Sequence, residues 1–141
     1  MIWFRNYTLA ELNNRHQNHI GALIGLEFTA IGDDYLEARM PVDARTHQPA
    51  GILHGGASIV LAETLGSVAS NMIVDDSKFM GVGLEVNANH LRPVSSGFVT
   101  GVCRPLHIGS KTHVWDIKMM TDRGKMNCVS RLTVAIVPIN R

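Results

Sequence analysis

Six segments of the chain have the composition or the alternation of β-strands. Alternation of apolar and polar residues with a period of two indicates a strand that buries one face. In the last segment Cys128, Leu132 and Val134 share one face, whereas Arg131 and Thr133 share the other. We therefore predict strands over these ranges: 22–32, 34–41, 80–91, 97–106, 112–120 and 127–137.

The segment from Gly55 to Val74 has a different pattern. It contains no proline, and its apolar residues lie nearly all around a helical projection, which predicts a helix that is buried on most sides. Glu63 is the only residue after Gly56 in this segment that is charged at pH 7. A membrane span is the competing interpretation, but Glu63 together with the serines and the asparagine makes the segment too polar for it.

A shorter helix and the absence of internal boundaries complete the predicted fold. Thr8 and Glu11 form a capping-box pattern, so a helix is predicted from about residue 8 to 17. No linker, repeat or low-complexity run divides the chain, which predicts one domain over residues 1–141. One long helix among six strands favours an α+β fold in which an antiparallel sheet wraps around the helix. Such a sheet leaves a helix flank and a sheet edge open, and edge-to-edge dimerisation would cover both.

Composition excludes several classes of protein. With 45% hydrophobic and 18% charged residues among 141, the chain is neither disordered nor a membrane protein. Its formal charge of +1 argues against nucleic acid or an anionic membrane surface as a partner. Cys103 and Cys128 are isolated in sequence, so we predict two reduced core thiols. The first residues lack the pattern of a signal peptide, and we expect a cytoplasmic protein.

Two glycines at the start of the long helix are candidates for binding an oxyanion. Gly55 and Gly56 lie where free backbone N–H groups and the positive end of the helix dipole are expected. A glycine also lets a ligand approach the backbone closely. The alternative is an ordinary turn from loop to helix, where glycine is common.

Glu63 is the stronger candidate for chemistry. A carboxylate in an apolar helix costs several kcal/mol of desolvation, by order of magnitude, unless it is paired or hydrogen-bonded. One interpretation is a buried salt bridge to a strand arginine, such as Arg39 or Arg131. The other is a pocket whose floor is formed by the small residues Gly66 and Ser67, which follow on the same helix face.

The spacing of Gly55 and Glu63 bears on assembly. Eight positions in a helix correspond to about 12 Å, whereas reacting atoms must approach to about 3–3.5 Å. If both residues serve one reaction, they must come from two subunits.

The seven histidines form no metal-binding spacing, and we predict no metal site. A second group of residues has the charge and turn amides to hold phosphates: Arg92, Arg104, His107, Lys111 and the Gly109–Ser110 turn. A solvated surface face is an equally good interpretation of that group.

The order of these motifs resembles a known family. Gln48-Pro49 precedes Leu53-His54-Gly55-Gly56-Ala57 and Ala62-Glu63, and the likeness continues through Asn87-Ala88-Asn89-His90, Pro105-Leu106-His107 and Ser130-Arg131-Leu132-Thr133. This set resembles the hotdog-fold acyl-CoA thioesterases. The nearest branch includes 1,4-dihydroxy-2-naphthoyl-CoA hydrolases and the enterobactin-pathway proofreading thioesterases. The resemblance implies a long helix gripped by an antiparallel sheet, and homodimers with shared active sites that usually pair into tetramers.

The resemblance also implies roles for individual residues. Glu63 would attack the thioester carbon or deprotonate a water that does, and the Gly55 N–H would polarise the thioester carbonyl. His54 and Gln48 would orient the thioester and the attacking group, and Ser67 would hold the water or Glu63. The coenzyme A moiety would be bound by these residues: Gly83, His90, Leu91, Arg92, Pro93, His107, Ile108, Gly109, Ser110, Lys111 and Thr112.

The function that the resemblance implies is hydrolysis of an acyl- or aroyl-CoA to the acid and free CoA, without a cofactor. The first expectation for the substrate is 1,4-dihydroxy-2-naphthoyl-CoA of menaquinone synthesis. The alternatives are a proofreading hydrolase acting on misloaded acyl carrier protein in siderophore synthesis, and a non-catalytic acyl-CoA-binding module.

Overall fold

A computed structural model describes residues 1–140 of the chain. The elements in chain order are α1 (Leu9–Arg15), α2 (Ile20–Leu23), β1 (Glu27–Ile31), β2 (Leu36–Pro41), α3 (Gly55–Ile73), β3 (Phe79–His90), β4 (Phe98–Ile108), β5 (Thr112–Thr121) and β6 (Met126–Pro138).

The strands form one antiparallel sheet, and the long helix α3 packs on one face of it. The strand order is β1-β2-β4-β5-β6-β3, so β1 and β3 are the two edges of the six-stranded sheet. Helix residues such as Leu61 and Leu65 share the core with Trp115, Ile117 and Leu132 of the sheet. This arrangement confirms the predicted α+β hotdog fold.

Helix α3 confirms the prediction that its apolar residues would be buried on most sides. Every one of its residues is buried or half-buried. Leu61, Leu65 and Ala69 face the sheet and are fully buried, whereas Ile59 and Val60 are half-buried on other sides of the helix. None of the helices in the described part of the chain has the length and hydrophobicity needed to cross a membrane.

The prediction of a strand over 22–32 is wrong in its first half. Residues Ile20–Leu23 form the short helix α2, and β1 begins only at Glu27. Gly25 ends the helix with φ of 73°, and the N–H groups of Gly25 and Leu26 donate to the carbonyls of Ala22 and Gly21. This is a Schellman C-cap, which requires a residue in the left-handed region and stops the chain from continuing as a strand.

Helix α1 begins as predicted. The Glu11 N–H donates to Thr8 Oγ1 at 3.2 Å, and the Thr8 N–H donates to the Glu11 carboxylate at 3.1 Å. Leu12 is buried on the side that faces β1. The predicted reduced thiols are also confirmed, since Cys103 and Cys128 are buried and free.

The edge strand β3 changes face in its middle. The pairing with β6 shifts between Gly83 and Glu85, which marks a bulge at Leu84. Gly81 and Gly83 therefore face α3 before the bulge, and Val86, Ala88 and His90 face the same side after it. The bulge allows β3 to present Gly83 and His90, seven positions apart, to the same helix.

Candidate active site

The start of α3 presents an unused hydrogen-bond donor. His54 is the N-cap, and its Nδ1 accepts the Gly56 N–H at 2.8 Å. The His54 carbonyl accepts the Ala57 N–H at 3.0 Å. Within residues 1–140 the Gly55 N–H donates to no other group. It therefore remains available at the positive end of a 19-residue helix, where a developing negative charge is stabilised.

A surface cavity of about 380 Å³ opens beside Gly55. Gln48 lines it from the preceding loop, where its Oε1 accepts the Ala50 N–H at 2.5 Å. Because the oxygen is engaged, Nε2 of Gln48 is the group that can donate into the cavity. Four further polar or charged residues line the same cavity: Ser58, His90, Arg92 and Asn127.

Contact between Gly55 and His90 explains why position 55 is a glycine. A Cβ atom at position 55 would lie 2.7 Å from Nε2 of His90, closer than real Cβ contacts allow. The glycine thus lets the end of β3 approach the start of α3.

Glu63 lies eight residues after Gly55, about two turns further along α3, and contacts a different part of β3. Its Oε1 is 2.6 Å from the point that a Cβ on Gly83 would occupy. The residue is half-buried, and it forms no ion pair with any described residue. Arg39 pairs instead with Glu27 at 3.1 Å. The interpretation of Glu63 as half of a structural salt bridge is therefore wrong.

A cavity of about 310 Å³ lies beside the Glu63 carboxylate. The N-terminal segment contributes His16 and His19 to it, and α3 contributes Thr64 and Ser67. Burial lowers the pKa of His16, so this imidazole is neutral near pH 7. The cavity therefore combines one carboxylate with the neutral imidazole of His16 and the hydroxyl groups of Thr64 and Ser67.

Gly66 does not form the floor of this cavity, which corrects the prediction made for it. It is buried against β6, and a Cβ atom there would lie 2.5 Å from Cδ2 of Leu132. Its role is to let the helix approach the sheet closely. Ser67, the next residue, does line the cavity as predicted.

The residues expected to bind coenzyme A fall into separate places within one protomer. His90, Leu91, Arg92 and Pro93 line the cavity beside Gly55, and Gly83 adjoins Glu63. The other group, His107 to Thr112, forms the end of β4 and the turn into β5. That turn lies at the opposite end of α3, where Gly109 and Ser110 line a cavity of about 470 Å³ with Phe79 and Ile73.

The phosphate-holding group predicted from charge is also divided. Arg104 pairs with Asp34 at 3.0 Å and stacks over the Tyr35 ring, so it is engaged elsewhere. Arg92 lies at the other end of the sheet, where its Nε donates to the Met126 carbonyl at 3.0 Å. One protomer therefore does not assemble the predicted phosphate cluster.

Asn127 is a residue that the sequence pattern did not indicate. It is only 2% exposed, it lines the cavity beside Gly55, and its Oδ1 has no hydrogen-bond partner among the described residues. Its only signal in the sequence is an amide side chain next to the inward-facing Cys128. Strict alternation would place Asn127 on the face opposite to Cys128, but both residues are buried at the start of β6, where the pairing with β5 is irregular.

Comparisons with known proteins agree with this geometry. The model of the thioesterase superfamily matches residues 50–128, which include both Gly55 and Glu63. The chain is 50% identical over 137 residues to the 1,4-dihydroxy-2-naphthoyl-CoA hydrolase of Escherichia coli K12, covering 97% of this chain and 100% of that protein.

Two solved structures extend the likeness to the whole fold. A crystal structure of a mutant of thioesterase PA1618 from Pseudomonas aeruginosa superposes with a TM-score of 0.97 at 55% identity, covering 99% of this chain and 100% of the other. Thioesterase HI1161 from Haemophilus influenzae superposes with a TM-score of 0.96 at 45% identity, covering 100% and 98%.

The family match spans more than half of the chain, and the relatives cover nearly all of it. A free carboxylate and a free helix-start amide occupy the positions expected from the motifs. The chain belongs to the hotdog-fold thioesterase superfamily and is an acyl-CoA thioesterase.

Proposed function

We propose that the protein hydrolyses aromatic acyl-CoA thioesters, with 1,4-dihydroxy-2-naphthoyl-CoA of menaquinone synthesis as the first candidate. The identity of 50% to an enzyme of that specificity, over 97% of this chain and 100% of that enzyme, supports this choice. The free cysteines and the CoA-linked substrate class favour the cytoplasm as its location.

The observation that carries the proposal is the free carboxylate of Glu63. It lines a cavity, it is half-buried, and no arginine or lysine of the described residues neutralises it. Such a carboxylate can attack a thioester carbon directly or remove a proton from a water molecule that attacks. Both routes end in the free acid and the thiol of coenzyme A, and both remain open.

The Gly55 N–H is the proposed donor to the thioester carbonyl oxygen. Its backbone position is fixed by the His54 cap, so it needs no rearrangement when charge develops on the oxygen. Gln48 Nε2 would orient the thioester from the opposite wall of the cavity, and His54 would do so from the helix start. Ser67, one turn after Glu63, would hold the carboxylate or the attacking water.

Glu63 and Gly55 of one helix are about 12 Å apart, so we propose that each active site combines Glu63 of one protomer with Gly55 of a second. The edge strand β3 is the proposed contact. It is 12 residues long, most of its residues are exposed, and Val82 and Leu84 are among the exposed large apolar side chains. A long, unprotected edge of this kind favours pairing with another strand.

The contacts of β3 support one register for the proposed pairing. Gly83 adjoins Glu63, and His90 adjoins Gly55, so Gly83 of one copy must lie opposite His90 of the other to bring the two groups together. Leu84 is bulged in each strand and therefore has no partner. When the other residues between Gly83 and His90 are paired one by one, Asn87 of one copy lies opposite Asn87 of the other. This register keeps every opposed pair on the same face of the joined sheet.

The same pairing would unite the two groups of predicted coenzyme A residues. In one protomer His107–Thr112 lie near the start of β3, and His90–Pro93 lie at its end. Antiparallel pairing of two β3 strands brings the start of one next to the end of the other. By resemblance to the family, we also expect these dimers to pair into tetramers.

Two alternatives remain from the sequence. A proofreading hydrolase would act on the same thioester carried by an acyl carrier protein, with the same residues in the same roles. A non-catalytic binding module is disfavoured, because the chain belongs to a thioesterase family and because binding alone does not require an unpaired carboxylate.

Thiol release from a panel of acyl-CoA thioesters and one acyl carrier protein thioester tests the proposal, with Glu63→Gln as the control. We expect aromatic acyl-CoA substrates to be hydrolysed faster than aliphatic ones, and the variant to be slower by about a thousandfold or more. Faster turnover of the carrier-protein thioester would favour proofreading. A wild type no faster than the variant on every substrate would contradict enzymatic function.

A further inference from the structure

The buried amide of Asn127 has no structural explanation within the protomer. Its Oδ1 is buried without a hydrogen-bond partner among the described residues. Such atoms are rare in native proteins, because an unpaired buried polar group costs free energy of folding. Its own backbone carbonyl accepts the Leu91 N–H at 2.8 Å, so the residue is held firmly at the start of β6. Asn127 borders the same cavity as Gly55 and Gln48, so its side-chain amide lies in the wall of the space that a ligand would enter.

A second cavity continues from the first and is strongly basic. It measures about 520 Å³ and is lined by three cations, Arg92, Arg123 and Lys125. None of these cations has an ion-pair partner within residues 1–140, whereas six other lysines and arginines do. The one acid in its wall, Asp122, already accepts the Phe98 N–H at 3.0 Å.

The two cavities are joined by a shared wall. Arg92, Pro93 and Val94 line both of them. Arg92 is oriented by the hydrogen bond from its Nε to the Met126 carbonyl, which precedes Asn127 in the chain. A ligand that begins at the Gly55 N–H therefore passes an unpaired amide and then reaches a group of unpaired cations.

We infer that this path takes the thiol half of the substrate, on the basis of the function proposed above. The side-chain amide of Asn127 forms a hydrogen bond with an amide of the pantetheine arm next to the sulfur. Arg123 and Lys125, together with Arg92, bind phosphate groups of the CoA nucleotide. An arm carrying amides and ending in phosphates has the same order of chemical groups as the path: carbonyl donor, amide and cations.

Three substrates with one acyl group separate the steps of the path. All three are benzoyl thioesters, and they differ only in the thiol. Butanethiol carries neither an amide nor a phosphate, N-acetylcysteamine carries an amide, and CoA carries both amides and phosphates. We expect kcat/KM of the wild type to rise along this series. Asn127→Leu should lose the increase from butanethiol to N-acetylcysteamine, and Arg123→Ala/Lys125→Ala should lose about ten- to hundredfold on the CoA thioester alone.

Matched controls exclude indirect effects. Arg39→Ala/Lys118→Ala removes the same two charges from exposed positions outside both cavities, and its kcat/KM should equal that of the wild type on all three substrates. Asn127→Leu should melt no lower than the wild type, because it removes an unsatisfied buried group. If it does melt lower, Asn127→Ser makes the same comparison with a smaller change.

The inference is overturned if Arg123→Ala/Lys125→Ala loses as much on the N-acetylcysteamine thioester as on the CoA thioester, or loses nothing on either. It is also overturned if Asn127→Leu lowers all three rates equally. A benzoyl thioester of acyl carrier protein is the fourth substrate, and a loss confined to it would indicate a protein-docking surface and would likewise overturn the inference. Failure of the proposed function is distinguishable, because then no thioester is hydrolysed faster by the wild type than by Glu63→Gln.

Discussion

The carboxylate of Glu63 lies directly over the backbone of Gly83, with Oε1 2.6 Å from the point where a Cβ would stand. The missing side chain at position 83 thus leaves the space that the carboxylate occupies. Because Gly83 belongs to the edge strand, the position of the proposed catalytic group is linked to the strand through which we expect a second copy to bind.

Gly83→Ala should therefore impair activity more than stability. The added methyl group would push the Glu63 carboxylate aside, and we expect kcat to fall about a hundredfold. Gly66→Ala is the matched contrast, since its methyl group would meet Leu132 in the core and should cost about 1–3 kcal/mol of unfolding free energy. Urea unfolding and steady-state kinetics on both variants check this. Equal losses of stability in the two variants would refute the assignment of the Gly83 contact.

The register of the β3 pairing can be tested by a disulfide. Cα atoms directly opposite in an antiparallel pair are about 4.5–5.5 Å apart, which a disulfide can span. Asn87→Cys should form a covalent dimer on mild oxidation, detected by non-reducing electrophoresis. Asn89→Cys is the control, because two copies of residue 89 would be about 13 Å apart in this register. The native Cys103 and Cys128 are buried and should contribute little background. Efficient crosslinking at position 89 instead of 87 would rule out the register.

Ser70 joins two buried rings to α3, and its removal should be costly. Its Oγ accepts the Trp115 Nε1–H at 2.7 Å and lies 3.0 Å from Nδ1 of His113. Ser70→Ala would leave both ring nitrogens without that partner, and we expect a loss of about 2–4 kcal/mol in urea unfolding. Ser77→Ala, at an exposed position with a local bond to Asp75, should change stability far less. A Ser70 variant as stable as the Ser77 variant would show that the buried bonds contribute little.

Acidification should weaken the fold through His113, which is 1% exposed. Burial lowers the pKa of His113 below its ordinary value of 6.5. Between that depressed value and 6.5 the unfolded chain binds a proton that the folded protein does not, so the free energy of unfolding falls as pH drops through about 6.5. Burial lowers the pKa of His16 too, and it contributes in the same direction.

The measurement is the slope of unfolding free energy against pH from 7 to 5, for the wild type and His113→Gln. We expect the variant to have the shallower slope, whatever its absolute stability. Identical slopes in the two proteins would argue against a neutral, buried His113.

Most of the fold was predictable because its signals are local. Alternation predicted the bounds of five of the six strands to within a few residues. The central helix α3 was identified because its apolar residues lie nearly all around it. The exception at residues 22–26 has a local signal too, since Gly25 is a typical helix-ending residue, but the surrounding apolar residues resemble a strand more strongly.

The site was predictable in part, and what was missed depends on tertiary contacts. Glu63 and Gly55 are conspicuous in sequence because Glu63 is an acid within an apolar helix and Gly55 belongs to a glycine pair at the start of that helix. The function of Gly66 was misjudged, because only the packing against Leu132 explains it. Asn127 and the cations of the β5–β6 turn could not be recognised as site candidates from the sequence, because only the folded sheet brings them beside Gly55 and Arg92.

If Glu63 of one protomer acts on a thioester bound to Gly55 of another, two inactive variants should restore activity when they are mixed. Glu63→Gln lacks the carboxylate. Gly55→Pro lacks the N–H at the first position of α3, and its added Cβ atom also displaces the His90 ring, which belongs to the same half of the site. After joint unfolding and refolding, half of the dimers should be mixed, each with one complete site. We expect the mixture to recover about a quarter of wild-type activity. A mixture that stays as inactive as each variant alone, although mixed dimers have formed, would contradict it.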